Sequence, residues 1–93
     1  MIVIGTDVVE RYFAARAQYD AWRAIVEKVQ WKGPEDVKKA HPKASILEGS
    51  RAVFNIKGND YRLIAIVQYA HGVLMIRFFG SHEDYDKVDA ESV

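Results

Sequence analysis

Three runs of alternating apolar and polar residues fill most of the second half of the chain and constrain its fold more than any other feature. The runs cover residues 51–57, 60–70 and 73–80. Such a period of two is typical of β-strands, whose successive side chains point to opposite faces of a sheet. The two connections are too short for the crossover that parallel neighbours need. We therefore expect these strands to form an antiparallel meander.

The first connection has the composition of a tight hairpin turn. Gly58 and Asn59 both tolerate the positive φ angles that a two-residue hairpin loop requires. This turn would place Asn55, Lys57 and Arg62 on one face of the hairpin, opposite an apolar face. A cationic hairpin face indicates a local site for an anion.

The register of the second hairpin is predicted from the position of its charge. A two-residue loop at 71–72 places Ile66 opposite Arg77, on the same face as Arg62. A loop longer by one residue would turn Arg77 into the apolar face, where an unpaired charge is costly. The charge-free face in the preferred register comprises Phe54, Ile56, Tyr61, Leu63, Ala65, Val67, Tyr69, Leu74, Ile76 and Phe78.

The first half of the chain carries helical periodicity. Its apolar stripe consists of Tyr19, Trp22, Ile25, Val26 and Val29. The pattern leaves open whether residues 7–30 form one bent helix or two, and we favour two, packed as a helical hairpin. A short strand is expected at residues 2–4. A short surface helix should begin at Pro34, which suits a first helical position, and end before Pro42.

Packing the apolar face of the meander on the helical stripe predicts an α+β two-layer sandwich. Ninety-three residues allow one domain, residues 1–93. The chain has no cysteine, which excludes disulfides and thiolate metal sites, and it has no apolar run of membrane-spanning length. We therefore expect a soluble, cytoplasmic protein.

Charge is balanced overall but uneven along the chain. The 13 basic and 13 acidic residues cancel, unlike the basic excess typical of general nucleic-acid binders. Between residues 51 and 82, however, four cations stand against the single acid Asp60: Arg51, Lys57, Arg62 and Arg77. The histidines are scattered and no Gly-rich phosphate loop is present, so we expect neither a metal nor a cofactor.

Two blocks of sequence resemble the HigB family of bacterial type II toxins. The first is Phe54-Asn55-Ile56-Lys57-Gly58-Asn59 followed by Tyr61-Arg62-Leu63, and the second is Ile76-Arg77-Phe78 leading into Gly80-Ser81-His82-Glu83-Asp84-Tyr85-Asp86-Lys87. The segments Trp31 to Pro34, and Pro42 with Ala44-Ser45-Ile46, also fit. The second block has Gly-Ser-His where the family pattern has Gly-Thr-His, which keeps a hydroxyl. The neutral net charge departs from the strongly basic RelE proteins.

The resemblance implies a RelE/ParE-like fold, in which two helices pack on an antiparallel sheet. It also implies an mRNA endoribonuclease, in many members active on the ribosome, that inhibits translation. A helix-turn-helix antitoxin, HigA-like, would hold the toxin inactive, and operator DNA would be bound only through that antitoxin.

Metal-independent RNA cleavage by the neighbouring 2′-hydroxyl needs a proton acceptor, a proton donor and cations around the phosphate. The resemblance implies Arg62 and Arg77 as a phosphate clamp and His82 as general acid or base. Tyr85 could share the proton transfer or stack on a base, or it could equally pack the C-terminal segment. The remaining expected RNA contacts are Lys57 and Lys87. The arginines could instead pair with the acidic residues 83–86, and Lys87 with Asp84 or Glu83.

Two other functions stay open. The chain could be an inactive toxin-like protein that acts only through its antitoxin and operator DNA. It could also be a gyrase poison of the ParE type, although His82 and the two arginines suit phosphate chemistry better than a docking surface.

Overall fold

A five-stranded mixed sheet forms the centre of the molecule in the computed structural model, which describes residues 1–10 and 12–93. Its strands are β1 (Ile2–Ile4), β2 (Ser45–Leu47), β3 (Arg51–Ile56), β4 (Tyr61–Gln68) and β5 (Val73–Ser81). They lie in the order β1-β5-β4-β3-β2. The meander β3-β4-β5 is antiparallel as predicted, and β1 adds a parallel edge strand beside β5.

The α-helices are α1 (Arg16–Glu27), α2 (Pro34–Ala40) and α3 (His82–Tyr85). Helix α1 buries Tyr19, Trp22 and Val26 against one face of the sheet, whereas Ile25 of the predicted stripe is 49% exposed. A second buried tryptophan, Trp31, stacks on Phe54 of β3. Burial of this shared apolar surface is the main force that holds helix and sheet together. The α+β class is thus confirmed.

The expected helical hairpin over residues 7–30 is wrong in its first half. In place of a first α-helix the chain makes two 3-10 turns, Thr6–Val8 and Phe13–Ala15, while Arg11 lies outside the described residues. Gly5 has a φ of 80°, and a Cβ there would fall 2.5 Å from the Ile76 carbonyl oxygen. The chain therefore turns tightly against β5 at this point, and the β-branched pair that follows is poorly suited to a helix.

The predicted apex of the first hairpin is confirmed, with a different backbone conformation. The Asp60 N–H donates to the Lys57 carbonyl across Gly58 and Asn59, at 3.2 Å. The positive φ angles, however, fall at Lys57 (57°) and Gly58 (64°). Asn59 therefore does not adopt a left-handed conformation. Its backbone and side-chain oxygens accept hydrogen bonds that are described below.

The predicted register of the second hairpin is wrong by two residues. A 3-10 turn at Tyr69–His71 followed by Gly72 makes the loop longer, so Gln68 pairs with Val73 and Ile66 with Met75. Because the shift is an even number, it leaves the faces of this part of the strand unchanged.

A β-bulge in β5 then exchanges the predicted faces of its last residues. Ala65 pairs with Ile76 and Ile64 with Phe78, so Arg77 is the extra residue. Phe79, predicted on the polar face, is 3% exposed. Its ring packs against those of Tyr12, Tyr19 and Tyr61, with centroid distances of 5.1, 6.2 and 5.5 Å. The bulge thus buries Phe79 while Arg77 stays exposed.

The second face of the sheet is partly covered by the C-terminal segment. Val53 and Ile64 are buried there, outside the main core. Helix α3 follows β5 directly, and the Ser81 hydroxyl caps it by accepting from the Asp84 N–H at 3.1 Å. Farther along, Arg51 donates to the Val93 carbonyl at 3.0 Å. Within residues 1–10 and 12–93, no helix is long and apolar enough to cross a membrane.

Candidate active site

Arg62 is held in one orientation at the hairpin end of the sheet. Its Nη1 donates to the carbonyls of Asn59 at 3.0 Å and Tyr61 at 3.3 Å, and its Nη2 donates to the Asn59 Oδ1 at 3.1 Å. The same Nη2 lies 3.3 Å from Nδ1 of His82. The four Nη hydrogens are therefore engaged, which leaves the Nε–H of this guanidinium for a ligand.

The His82 ring lies between Arg62 and a carboxylate. Its Nε2 is 3.4 Å from Oδ2 of Asp86, four residues later. Because a guanidinium can only donate, Nδ1 of His82 accepts from Arg62, and in the neutral ring the proton sits on Nε2, facing Asp86. The backbone N–H of His82 also donates to the Asp60 carbonyl at 3.0 Å, which ties the start of α3 to the hairpin turn. Arg62, His82 and Asp86 thus form a hydrogen-bonded chain.

A shallow depression of about 430 Å³ opens in front of this chain. Its lining residues are Lys57, Asn59, Asp60, Tyr61, Ser81, His82 and Glu83. The His82 side chain is 50% exposed, so a ligand can reach it. Lys57 supplies a cation and donates to the Ala14 carbonyl at 3.2 Å. Asp60 and Glu83 make the charge of the depression mixed.

Tyr85 joins the site through Arg62. The guanidinium carbon lies 5.8 Å from the centroid of the Tyr85 ring, within the range of a cation–π contact. The residue is half-buried, so the ring also packs α3 onto the sheet. The geometry is compatible with both interpretations that the sequence left open.

Arg77 and Lys87 lie apart from these residues. In the described part of the chain no contact joins Arg77 to Arg62: Arg62 pairs with Gly80, and Arg77 is the bulge residue three positions before Gly80. Arg77 instead contacts the Met75 sulfur, at 3.7 Å. In the described part of the chain neither arginine forms an ion pair with the acidic residues 83–86, and Lys87 forms none with Asp84 or Glu83.

Sequence reasoning missed two residues of the site. The sequence indicates only a turn role for Asn59, yet it supplies two of the acceptors that hold Arg62. Asp86 belongs to the acidic residues 83–86, although its spacing of four residues from His82 is the spacing of neighbours on a helix. Over residues 1–10 and 12–93, no three His, Asp or Glu side chains converge as ligands for a metal ion.

The site lies inside a region that matches a known protein family. The family model is described as HigB toxin, the RelE-like toxic component of a toxin-antitoxin system, and it matches residues 15–88. A search of curated proteins gave no match. The matched region runs from the start of α1 through the Arg62, His82 and Asp86 chain, and it includes both sequence blocks of the resemblance. This chain therefore belongs to the HigB toxin family, the RelE-like toxic components of toxin-antitoxin systems.

Proposed function

We propose that the protein is an mRNA endoribonuclease that cleaves through attack of the 2′-hydroxyl on the neighbouring phosphate. The hydrogen-bonded chain of Arg62, His82 and Asp86 at an open depression carries this proposal. It places a fixed cation, an oriented imidazole and an orienting carboxylate together, which are the elements that general acid–base catalysis on a phosphodiester needs.

His82 acts as the base on the 2′-hydroxyl. In the tautomer described above, Nδ1 carries the lone pair that can accept a proton. Until substrate binds, this lone pair accepts the hydrogen bond from Nη2 of Arg62. When the guanidinium turns its N–H groups to the phosphate oxygens, Nδ1 is freed to accept the 2′-hydroxyl proton. Asp86 then stabilises the imidazolium that forms. Substrate binding and activation of the base are thus coupled through one contact.

The bond changes follow from this assignment. The 2′-oxygen forms a bond to phosphorus, the bond from phosphorus to the 5′-oxygen breaks, and the leaving oxygen takes a proton from the Tyr85 hydroxyl or from water. The products are a 2′,3′-cyclic phosphate and a 5′-hydroxyl. Arg62, whose guanidinium Tyr85 faces, stabilises the added charge on the phosphate.

The other basic residues contribute to RNA binding at different distances. Lys57 lines the depression and contacts the phosphate backbone close to the cut. Arg77 and Lys87 contact RNA outside the acid–base cluster. Because the net charge is zero, electrostatic affinity for free RNA is modest, and the ribosome supplies the mRNA in its bound form. Activity is therefore cytoplasmic, and a HigA-like helix-turn-helix antitoxin keeps it in check.

The test compares wild-type protein with His82→Ala and Arg62→Ala on one mRNA, alone and in a translation reaction. Wild-type protein should give discrete cuts with 5′-hydroxyl ends. His82→Ala should be about 10²- to 10⁴-fold slower. The matched control is His71→Ala, since His71 is exposed in the turn before β5. Intact RNA under both conditions with wild-type protein contradicts the proposal.

One observation favours a second function without catalysis. Asp60 and Glu83 lie in the same depression as Lys57 and His82, which lowers its attraction for a phosphate. A toxin-like protein that acts only through its antitoxin and operator DNA would have such a site. It should bind the antitoxin tightly and leave growth unchanged when it is expressed alone.

A further inference from the structure

A second cavity lies between the β3–β4 hairpin and the connection from α2 to β2. It has a volume of about 510 Å³. One wall is the connection from α2 to β2, with His41 and Lys43, and the other is the hairpin, with Asn55 and Asn59. Asn59 lines both this cavity and the His82 depression, and none of their other described lining residues does so. The two openings therefore meet at the hairpin turn.

The wall that carries His41 and Lys43 is rigid. The Lys38 ammonium donates to the Pro42 carbonyl at 2.8 Å and to the Ala44 carbonyl at 2.7 Å, which fixes the backbone between them. The His41 ring packs edge-on against Trp31 and Phe54, with centroids 5.8 and 5.2 Å apart. A preformed wall loses little conformational entropy when a ligand binds.

The groups that line the cavity suit a flat, polar, aromatic ligand. Burial lowers the pKa of His41, so its ring forms an uncharged part of the wall, and its Nε2 is itself buried. Asn55 and Asn59 supply amides, which can donate and accept at once along a base edge. Lys43 is exposed at the rim, where it can meet a phosphate. Proteins use such hydrogen-bonding groups to read the edges of unpaired RNA bases.

The position of the cavity relative to Arg62 is set by the sheet. Asn55 and Arg62 are direct partners across β3 and β4. Such partners have Cβ atoms about 5 Å apart and point to the same face. Asn59 strengthens the link, since its carbonyl and its side-chain oxygen both accept from Arg62. A ligand in the cavity therefore lies next to a phosphate held at Arg62.

We infer that this cavity binds the base of the nucleotide adjoining the cleaved phosphate, in single-stranded RNA. Asn55 reads the edge of that base, and Lys43 contacts the phosphate beyond it. The inference rests on the proposed ribonuclease function and adds to it the part of the site that determines sequence preference.

The experiment maps cuts in a randomised RNA library with wild-type protein, Asn55→Ala and Lys43→Glu. Wild-type protein should favour one base, or one pair of bases, at a position next to the cut. Asn55→Ala should flatten the preference at that position and lower kcat/KM for the favoured base about 10-fold or more. The matched control is Gln68→Ala, an exposed amide at the far end of β4, and it should leave the base frequencies unchanged.

Lys43→Glu tests the cavity without altering a half-buried residue. This variant should raise KM for an oligonucleotide that extends past the cavity, and it should leave KM unchanged for one that ends at the cut. Equal effects on both oligonucleotides overturn the inference.

The outcomes separate this inference from the proposed function. If wild-type protein makes no cuts, the ribonuclease proposal fails, and the inference fails with it. If wild-type protein cuts and Asn55→Ala keeps the same base frequencies, only the base site is overturned. If those frequencies persist while Asn55→Ala weakens binding of the antitoxin, the cavity serves the antitoxin and the inference is likewise overturned.

Discussion

Nη2 of Arg62 lies 3.3 Å from Nδ1 of His82, and this contact joins β4 to the first residue of α3. Because arginine is always protonated and can only donate, the contact determines which ring nitrogen of the neutral histidine keeps its proton. Asp86 faces the other nitrogen, at 3.4 Å. The charge that would stabilise a phosphate and the group that would move a proton are thus linked before any substrate arrives.

Arg62→Lys should lower kcat/KM for RNA cleavage by about 10²- to 10³-fold, as the loss of one electrostatic donor does elsewhere. A lysine ammonium cannot reproduce the planar fork that bonds Asn59 and His82 together. Single-turnover cleavage measures the effect. Arg16→Lys is the control, since Arg16 makes an exposed ion pair with Asp20 on α1 and should keep wild-type activity. If Arg62→Lys is as active as this control, the planar guanidinium of Arg62 is not needed for cleavage.

Asp86→Asn should slow cleavage by about 10-fold, because the amide can still accept from Nε2 of His82 but no longer stabilises the imidazolium by charge. We expect a smaller loss than at a buried carboxylate because the Asp86 side chain is 62% exposed. Single-turnover cleavage measured beside Glu91→Gln, another acidic residue of the C-terminal segment, isolates the effect. Equal cleavage rates for the two variants would show that Asp86 does not act on His82.

Phe79→Ala should destabilise the protein by about 3–5 kcal/mol, and Phe78→Ala by about 1–2 kcal/mol. The difference arises because the bulge buries Phe79 in an aromatic cluster and leaves Phe78 half-buried on the second face. Urea denaturation of both variants gives the two free energies of unfolding. A larger loss of unfolding free energy for Phe78→Ala than for Phe79→Ala would mean that β5 has no bulge and follows the register predicted from alternation alone.

The free energy of unfolding should fall as the pH is lowered below about 6.5, and His41 should account for part of the fall. Burial lowers the pKa of His41 in the folded protein, so the unfolded chain binds a proton first and stability is lost toward acid. One such proton changes stability by at most about 1.4 kcal/mol per pH unit.

His41→Phe keeps an aromatic ring against Trp31 and Phe54 and should flatten this pH dependence. Chemical denaturation at pH values on both sides of 6.5 measures the slope. His71→Phe, at an exposed turn, provides the comparison and should retain the wild-type slope. Equal slopes for the two variants would mean that His41 titrates alike in the folded and unfolded chains.

Much of the fold follows from local patterns in the sequence. The period of two predicts the meander and the face of β3 and β4 that packs on α1, since side chains alternate along any strand. The helical stripe predicts α1 through Tyr19, Trp22 and Val26, which are all buried. The two sequence blocks identify the family, and they contain both Arg62 and His82, which the structure brings into contact.

The residues that surround Arg62 cannot be predicted from local patterns in the sequence. Local alternation does not predict a one-residue bulge. The bulge is stable because it buries Phe79 in the aromatic cluster and leaves Arg77 in solvent. The contacts of Asn59 and Asp86 likewise require the hairpin turn and the start of α3 to meet, as they do in the bond from His82 N–H to the Asp60 carbonyl. The strands, the core face and the family follow from the amino-acid sequence alone. Register and the assembled site were decided by packing between segments that are distant along the chain, which no local pattern records.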